Sequence, residues 1–390
     1  MSRMNLEAPL ESQPEIASFS QPLWVLFYFF KNVHVPILLP IYREMTRRRS
    51  YRIAFALHPY NRAIRAGFEP QEEAELRRMP VEFVDRPQQF SPDVTLMADN
   101  VAQVLDGCGK LVNVGHGLLS KGQYFTDSPQ VERENLEDLL CVPGEYHRKR
   151  ILDSGKVFIP VVATGFPKLD AVFQASKRPR EELFGIAGLD PAKRTVLYAP
   201  TFNMELSAIP ILWTGIRRIA DESTYLLIKL HGSTPSEFKR IHRSLASEHP
   251  NIRYIEDADI GPHMAMADVM VSDVSSAFME FIALDKPVVL FDNPNITEYR
   301  NYDPRDIEYS WRDVGIRAAT LDEVIRGVRR SLADPGEFSD RRRFYAGPLL
   351  ADREGNAAAN VVTAIEELLR GKMDRQNREF FNSKSAKVSS

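Results

Sequence analysis

Short apolar runs alternate with polar or helix-forming segments along most of the chain. In the first half, the runs rich in β-branched and aromatic residues are Trp24–Phe30, Arg52–Leu57, Val81–Asp85, Asp93–Ala98, Leu111–Val114, Leu139–Val142 and Val157–Ala163. In the second half they are Thr195–Ala199, Tyr225–Leu230, Ile252–Ile255, Val269–Ser272 and Pro287–Phe291. Such runs predict strands, and strands that alternate with helices pair in parallel. The sequence therefore predicts an α/β fold with a parallel sheet in each half.

The length of 390 residues predicts two domains, because a single hydrophobic core rarely serves more than about 250–300 residues. The connection between them is placed at the run QASKRPREEL, which is polar, charged and contains proline. The predicted segments are a disordered tail at 1–20, a first domain at 21–173, a linker at 174–190, a second domain at 191–354, a C-terminal helix at 355–371 and a disordered tail at 372–390.

The composition excludes several classes of protein. A formal net charge of −3, with 44% hydrophobic and 26% charged residues, is ordinary for a folded protein and predicts no nucleic-acid partner. Cys108 and Cys141 are the only two cysteines, and neither stands in a CxxC or Cys–His motif. A reducing cytoplasm therefore fits best.

The run PLWVLFYFFKNVHVPILLPIY has the apolar character of a membrane span or signal peptide. Lys31, Asn32 and His34 interrupt it, so it lacks the roughly 18 uncharged apolar residues that a span needs, and acidic residues precede it. We interpret it as a buried strand, Trp24–Phe30, followed by a helix that ends near Arg48. Four arginines, at positions 43 and 47–49, lie at that end. They indicate either a solvated helix C-terminus or a basic patch for a membrane surface.

Polar residues follow the predicted strands. In parallel α/β sheets, ligands bind beyond the carboxyl ends of the strands, so these residues are candidates for a site. In the second half they are Thr201, Asn203, His231, Asp257, Asp259, Asp273, Ser275 and Ser276. In the first half they are Asn113, His116, Gly117, Gly165, Pro167, Lys168 and Asp170. This arrangement predicts two facing half-sites.

The stretch SDVSSAFMEFIALDKPVVLFD joins a strand to a helix that is apolar nearly all round. A helix that begins near Ser276 would present backbone N–H groups and two hydroxyls, Ser275 and Ser276, to a phosphate. Asp273 would orient the turn. The alternative, that one serine is simply the N-cap of the helix, stays open.

Two histidines stand at predicted strand ends. His116, in NVGHGLLSKG, is flanked by glycines that let backbone approach a ligand, and Lys121 follows five residues later. An imidazole is a suitable base near neutral pH. His231, in IKLHGS, either points toward a cleft or is a core histidine. Asp257 and Asp259 form a DxD pattern, but no further ligand cluster accompanies it, so we expect no metal.

Several motifs resemble one family. YAPTF at 198–202, KLHG at 229–232, ADVMVSDVSSAFMEFIALDKPVVLFD at 267–292 and DREGNAAANVV at 352–362 are similar to the C-terminal half of the CDP-glycerol glycerophosphotransferases. HG at 116–117 and GFPKLD at 165–170 are similar to N-terminal signatures of that family. These enzymes are the polymerases and primases of teichoic acids and related capsules.

The resemblance implies a GT-B architecture, in which two Rossmann-like domains face a central cleft and a last helix, about Ala357–Arg370, crosses back to the first domain. It implies transfer of a polyol phosphate, glycerol phosphate above all, from a CDP-activated donor to a hydroxyl of a lipid-linked or glycan acceptor. CMP is released without a cofactor, at the inner face of the cell membrane.

The resemblance also assigns roles to residues. His116 matches the acceptor-activating histidine, with Gly117 and Lys121 beside it, and His231 matches the histidine near the donor phosphates. The remaining donor-side residues are Thr201, Asn203, Lys229, Asp273, Ser275 and Ser276. HGLLSK stands where the family has HGTPLK, and KLHG where it has KLHP, so the polyol and the acceptor stay open.

Two alternatives remain. The same architecture serves nucleotide-sugar glycosyltransferases and UDP-sugar 2-epimerases, which a donor screen distinguishes by release of UDP instead of CMP. A non-catalytic module would bind a nucleotide tightly without turning it over.

Overall fold

The computed structural model describes residues 21–61, 67–118, 131–257 and 259–371. The chain divides into two compact units, which we call the first and the second unit. In the described residues, the first comprises 21–61, 67–118, 131–170 and 349–371, and the second comprises 171–257 and 259–348. The predicted tails at 1–20 and 372–390, and Lys121, lie outside the described residues.

The first unit contains a parallel sheet of seven strands in its described part. Their order is β3-β2-β1-β4-β5-β6-β7. The strands are β1 Leu23–Phe29, β2 Tyr51–Leu57, β3 Glu82–Phe83, β4 Val94–Met97, β5 Lys110–Asn113, β6 Leu139–Val142 and β7 Val161–Ala163. The helices are α1 Val35–Arg48, α2 Pro70–Leu76, α3 Pro87–Phe90, α4 Glu145–Asp153 and, from the end of the chain, α14 Ala357–Leu369.

The second unit repeats this strand order. Its described part holds a six-stranded parallel sheet in the order β10-β9-β8-β11-β12-β13. The strands are β8 Arg194–Tyr198, β9 Thr224–Ile228, β10 Ile252–Tyr254, β11 Val269–Ser272, β12 Val288–Phe291 and β13 Ile316–Ala318. The helices are α5 Asp170–Ser176, α6 Arg180–Ala187, α7 Ile209–Leu212, α8 Ser236–Glu248, α9 Gly261–Met266, α10 Ala277–Ile282, α11 Ile307–Ser310, α12 Leu321–Ala333 and α13 Ser339–Leu349.

The central strands are apolar along their whole length because each is covered on both faces. Strand β1 pairs with β2 and β4, and its residues 25–27 and 29 have no exposed surface. Strand β11 is likewise buried at every residue. Continuous burial is typical of parallel sheets with helices on both sides. The predicted α/β class with two parallel, Rossmann-like sheets is confirmed.

The N-terminal apolar run forms a strand and a helix, as predicted. Helix α1 accepts Pro36 in its first turn, where no backbone N–H is needed. At its other end, Arg48 is 9% exposed and lies 3.0 Å from Glu366 of α14, so this arginine joins two helices of the first unit. No helix in the described part of the chain is both long and apolar enough to span a membrane.

The segment predicted to be a linker, 174–190, is largely helical. Helix α6 has Glu181 and Glu182 in its first turn and ends at Gly188, whose φ of 64° suits a left-handed C-cap. Arg180 makes an ion pair with Asp268, 2.9 Å away, and lies over the Phe184 ring. The charges that suggested an open connection therefore hold this helix within the second unit.

The last helix, α14, packs on the first unit. The Asp170 carboxylate accepts hydrogen bonds from the backbone N–H groups of Ala357 and Ala358, at 2.9 and 2.8 Å. A carboxylate at a helix N-terminus satisfies otherwise unpaired donors. Gly165 has a φ of 92°, and a Cβ there would lie 2.7 Å from that of Ala357. Asp170 and Gly165 were predicted as site residues of the motif GFPKLD. In the structure, Asp170 caps the start of α14 and Gly165 allows that helix to approach closely.

Candidate functional site

Both sheets reverse their strand order at one point, where a crevice for ligands opens in folds of this kind. In the first sheet the reversal lies between β1 and β4, and in the second between β8 and β11. Lys31 and Asp99 follow β1 and β4, whereas Thr201 and Asp273 follow β8 and β11. Each unit therefore carries polar residues where its topology favours ligand binding.

His116 lies on the turn after β5. Gly115 has a φ of 63°, which glycine adopts readily, and its N–H donates to the Asn113 side-chain oxygen at 2.9 Å. The Nδ1 atom of His116 lies 3.1 Å from the Ala98 carbonyl oxygen. Because a carbonyl can only accept, Nδ1 carries the proton in this arrangement, and Nε2 of the neutral ring is a lone-pair acceptor. His116 therefore has the tautomer that a base acting through Nε2 requires.

Charged and ionisable groups surround this ring. Asp99 Oδ1 lies 3.9 Å from His116 Nδ1, and Asp99 Oδ2 lies 2.9 Å from the Lys31 ammonium. His34 is fully buried, and its ring centre lies 5.7 Å from that of His116. Burial, with the neighbouring His116, lowers the pKa of His34 to about 3, so this ring stays neutral. Burial alone would raise the pKa of Asp99, but His116 and Lys31 outweigh it and lower that pKa.

His34, Asp99 and His116 form a group with the spacing of metal ligands in the described residues. The Oδ2 atom of Asp99 lies 3.8 Å from His34 Nε2, and the positively charged Lys31 ammonium already binds this oxygen. An ammonium at this position disfavours a second cation there. We therefore interpret the group as an acid–base cluster.

Two glutamates, the half-buried Glu134 and the buried Glu137, bind asparagines close to Asp99 and His116 in the chain. Asn113 donates to Glu137 at 2.9 Å, and Asn100 donates to Glu134 at 3.3 Å. Burial raises the pKa of both carboxyls, and for Glu137 the neighbouring Glu134 raises it further. Asn100 follows Asp99 in its loop, and Asn113 is the last residue of β5, directly before the turn that carries His116, so this acid pair holds the chain next to both residues.

In the second unit, Asp273 is fully buried at the end of β11. Its carboxylate accepts the N–H groups of Thr201 and Ala208, at 2.8 and 2.9 Å, and its carbonyl accepts from Arg312 at 2.6 Å. Burial raises the pKa of Asp273 to about 6. Asp273 was placed among the donor-binding residues and expected to orient its own turn, whereas its carboxylate holds the backbone at Thr201 and Ala208.

Ser275 and Ser276 precede the six-residue helix α10. Both are half-buried. The Ser275 hydroxyl accepts the Ala277 N–H at 3.4 Å, which is long for a hydrogen bond, and the N-cap residue, Ser276, makes no side-chain cap. The N-cap alternative therefore accounts for a weak contact of Ser275 and not for Ser276.

His231 is exposed, so the interpretation as a core histidine is wrong. The N–H of Ser233 donates to His231 Nδ1 at 3.0 Å, which places the ring proton of the neutral form on Nε2. Phe202 stacks on the imidazole with ring centres 4.6 Å apart. His231 is thus oriented as a hydrogen-bond donor, the opposite polarity to His116. The core histidines are His34, His147 and His242.

The remaining predicted residues differ in how far the structure involves them. Burial lowers the pKa of Lys229, although the charges of Asp257 and Asp259 oppose this effect. Asp259 also accepts the Gly261 N–H at 2.8 Å. The side-chain oxygen of Asn203 accepts the Glu205 N–H at 3.1 Å, so it shapes a turn. Gly117 is half-buried beside His116.

Lys31, His34, Asp99 and Phe202 were not among the site residues predicted from the sequence. Lys31 and Asp99 stand directly after predicted strands, so the rule used for the other strands also points to them. His34 was considered only as an interruption of an apolar run. Nothing in the sequence distinguishes its burial beside His116.

Comparison with known families identifies the family of this chain. The profile of the family CDP-Glycerol:Poly(glycerophosphate) glycerophosphotransferase matches residues 98–367, more than half of the chain. The chain belongs to this family. The match includes both histidine motifs and the Ser275–Ser276 turn.

Curated relatives come from teichoic acid synthesis. The chain is 25% identical over 251 residues to a teichoic acid poly(ribitol-phosphate) polymerase of Bacillus spizizenii, covering 61% of this chain and 39% of the relative. It is 24% identical over 210 residues to a teichoic acid glycerol-phosphate primase of Bacillus subtilis, covering 53% and 51%. The chain thus spans about half, or less, of the length of these relatives.

Solved structures share the fold. The wall teichoic acid polymerase TagF, in a form soaked with CDPG, matches with a TM-score of 0.66 at 16% identity, over 91% of this chain and 90% of that one. The UDP-GlcNAc 2-epimerase of Neisseria meningitidis matches with a TM-score of 0.57 at 15% identity, over 88% and 100%.

Proposed function

We propose that this protein transfers a polyol phosphate from a CDP-activated donor to an acceptor hydroxyl and releases CMP. The observation that carries the proposal is the opposite polarity of the two histidines. His116 presents a lone pair at Nε2, and His231 carries its proton at Nε2. A hydroxyl nucleophile needs a base, whereas a diphosphate needs donors.

In the proposed reaction, the acceptor oxygen attacks the phosphorus that bears the polyol. Its proton passes to His116 Nε2, a new O–P bond forms, and the bond between this phosphorus and the CMP oxygen breaks. Negative charge grows on the departing CMP, where His231, Ser275 and Ser276 donate hydrogen bonds. Positioned bases and donors of this kind each contribute about 10²–10⁴ in rate. Thr201 and Lys229 complete the donor side, and Gly117 and Lys121 the acceptor side.

Family membership supports glycerol phosphate as the transferred group, although the similarity to a ribitol-phosphate polymerase keeps ribitol phosphate as an alternative. The acceptor in this proposal is a lipid-linked or glycan precursor of a cell-surface polymer. Such an acceptor places the protein at the inner surface of the cell membrane.

The test is a donor screen. We expect CMP release from CDP-glycerol or CDP-ribitol in the presence of a polyol-phosphate acceptor, measured by mass spectrometry of the released nucleotide. Because UDP-sugar 2-epimerases share the fold, UDP-sugars form the second arm. Release of UDP would replace the proposal with sugar chemistry, and tight CDP-glycerol binding without turnover would indicate a non-catalytic module.

A further inference from the structure

We propose that Asp99 is a positioning residue that stabilises protonated His116, and that Lys31 holds the Asp99 carboxylate in place. This inference rests on the proposed function, since it concerns the base of that reaction. Asp99 does not contact the reacting atoms in this scheme and acts through His116.

The two oxygens of Asp99 have different partners. Oδ1 lies 3.9 Å from His116 Nδ1 and accepts the Asn100 N–H at 2.9 Å. Oδ2 accepts from Lys31 at 2.9 Å. The side chain is 19% exposed, so water screens its charge only in part. The carboxylate is therefore fixed at a distance where it favours a positive imidazolium.

The Ala98 carbonyl separates two tasks that one carboxylate often performs together. In a Ser–His–Asp triad the carboxylate both selects the histidine tautomer and stabilises its charge, and its amide variant loses about 10⁴-fold in turnover. Here the Ala98 carbonyl, 3.1 Å from Nδ1, selects the tautomer. Loss of the Asp99 charge should therefore cost only the electrostatic part of that effect.

The other ionisable groups near His116 do not replace Asp99. His34 is fully buried and neutral, so it adds ring contact without charge. Lys31 is a cation and is bound to Asp99. Glu134 binds Asn100 of the Asp99 loop, and Glu137 binds Asn113 at the end of β5. Among the described residues, Asp99 is thus the carboxylate nearest to the ring.

The experiment compares Asp99→Asn, Asp99→Glu and Lys31→Met with a matched control, Asp138→Asn. Asp138 also pairs with a lysine, Lys110 at 2.7 Å, in the same unit but at the opposite edge of the sheet. For each variant, kcat, the KM for CDP-glycerol, the pH dependence of kcat and the melting temperature are measured.

We expect Asp99→Asn to lower kcat about 10- to 100-fold with KM unchanged and to move the acid limb of the pH profile to lower pH. Asp99→Glu should restore part of the rate. Lys31→Met should lower kcat in the same direction as Asp99→Asn but by less, because the Asp99 carboxylate is then no longer held in place. The control should behave like the wild type in all four measurements.

An Asp99→Asn variant that folds and keeps kcat within about threefold, or keeps its acid limb unmoved, would overturn the inference. If the wild type releases no CMP from any CDP-polyol, the proposed function fails instead. NMR titration of the His116 ring then tests Asp99 alone: the ring should titrate at lower pH in Asp99→Asn than in the wild type, and identical curves would reject the role.

Discussion

Asp99 and Asp273 occupy equivalent places in the two sheets, each following the fourth strand in chain order of its unit. Asp273 is fully buried, and its carboxylate oxygens accept two backbone N–H groups. Asp99 is partly exposed and faces a lysine and a histidine. The same residue type at the same topological position thus holds a loop in one unit and sets a charge in the other. Sheet order determines where a site lies, and the loops determine its chemistry.

The contrast extends to the whole of each site. The first unit surrounds His116 with ionisable groups, an arrangement suited to moving a proton. The second presents hydroxyls and an imidazole N–H at the end of β11 and β9, an arrangement suited to an anion. Variants in the first unit should therefore change turnover, and variants in the second should change donor affinity.

The largest expected effect is that of His116→Ala. Loss of the base should reduce turnover at least about a hundredfold and leave the dissociation constant for CDP-glycerol nearly unchanged. His231→Ala should reduce turnover and raise that dissociation constant, because His231 is proposed to contact the donor. Calorimetry and steady-state kinetics on folded protein measure these quantities. A His116→Ala enzyme with near-normal turnover would remove the distinction between the two units.

The paired substitution Ser275→Ala and Ser276→Ala should weaken CDP-glycerol binding with little change in melting temperature. Each hydrogen bond to a charged phosphate contributes about 1.5–3 kcal/mol. Both hydroxyls are half-buried, and the capping contact that would be lost is long. Unchanged affinity by calorimetry would speak against a phosphate site at this turn.

Asp273→Asn should lower both stability and donor affinity. An amide offers one acceptor oxygen, so the N–H of Thr201 or Ala208 would lose its partner in a buried place. An unsatisfied buried donor costs about 1–3 kcal/mol. Chemical denaturation should show this loss, and the loss should be larger than that in Asp99→Asn, whose carboxylate is partly exposed. Equal losses in the two variants would erase the difference between these aspartates.

The loss of stability in acid tests the first unit, because its histidines His34 and His147 are fully buried and neutral. Burial lowers the pKa of each to about 3 from an unfolded value near 6.5. Below about pH 6.5 these imidazoles bind protons in the unfolded chain but not in the folded chain, so stability is lost as pH falls from about 6.5 to about 3. Each histidine contributes up to about 1.4 kcal/mol per pH unit. Urea unfolding at several pH values should show that the unfolding free energy of His147→Phe depends less steeply on pH than that of the wild type. An unchanged pH dependence would contradict the assignment.

The smallest expected effect is that of EDTA, which we predict to leave turnover essentially unchanged. Lys31 supplies the positive charge beside Asp99, and Lys229 faces Asp257 and Asp259. Complete inhibition that Mg²⁺ or Mn²⁺ reverses would show that one of these carboxylate groups holds a metal.

Much of the fold was predictable because buried parallel strands have a simple signature. Val269–Ser272 is apolar up to its last residue and was predicted with its observed bounds. The three-residue strand Ile316–Ala318 was missed because so short a run carries no periodicity. The helical character of 180–187 was missed because its charges satisfy partners that are distant in sequence, such as Asp268.

The candidate site was predictable in position but not in its contacts. The rule of strand ends located His116 and His231, and the motifs gave them proposed roles. The polarity of each ring depends on single backbone groups, Ala98 and Ser233, that no side-chain pattern encodes. The cluster of His34 and Asp99 arises from pairing between strands far apart in the chain, which periodicity does not reveal.

The hydrogen bonds from Ala357 and Ala358 to Asp170 imply an order of events during synthesis. The first unit is discontinuous, because its last helix follows the whole of the second unit in the chain. Domains fold as units while the chain emerges from the ribosome. The main segment of the second unit, Ala171–Pro348, is continuous and can complete its core first. The first unit, although its residues emerge earlier, must wait for Ala357–Leu369, so the side of the protein that carries His116 matures last.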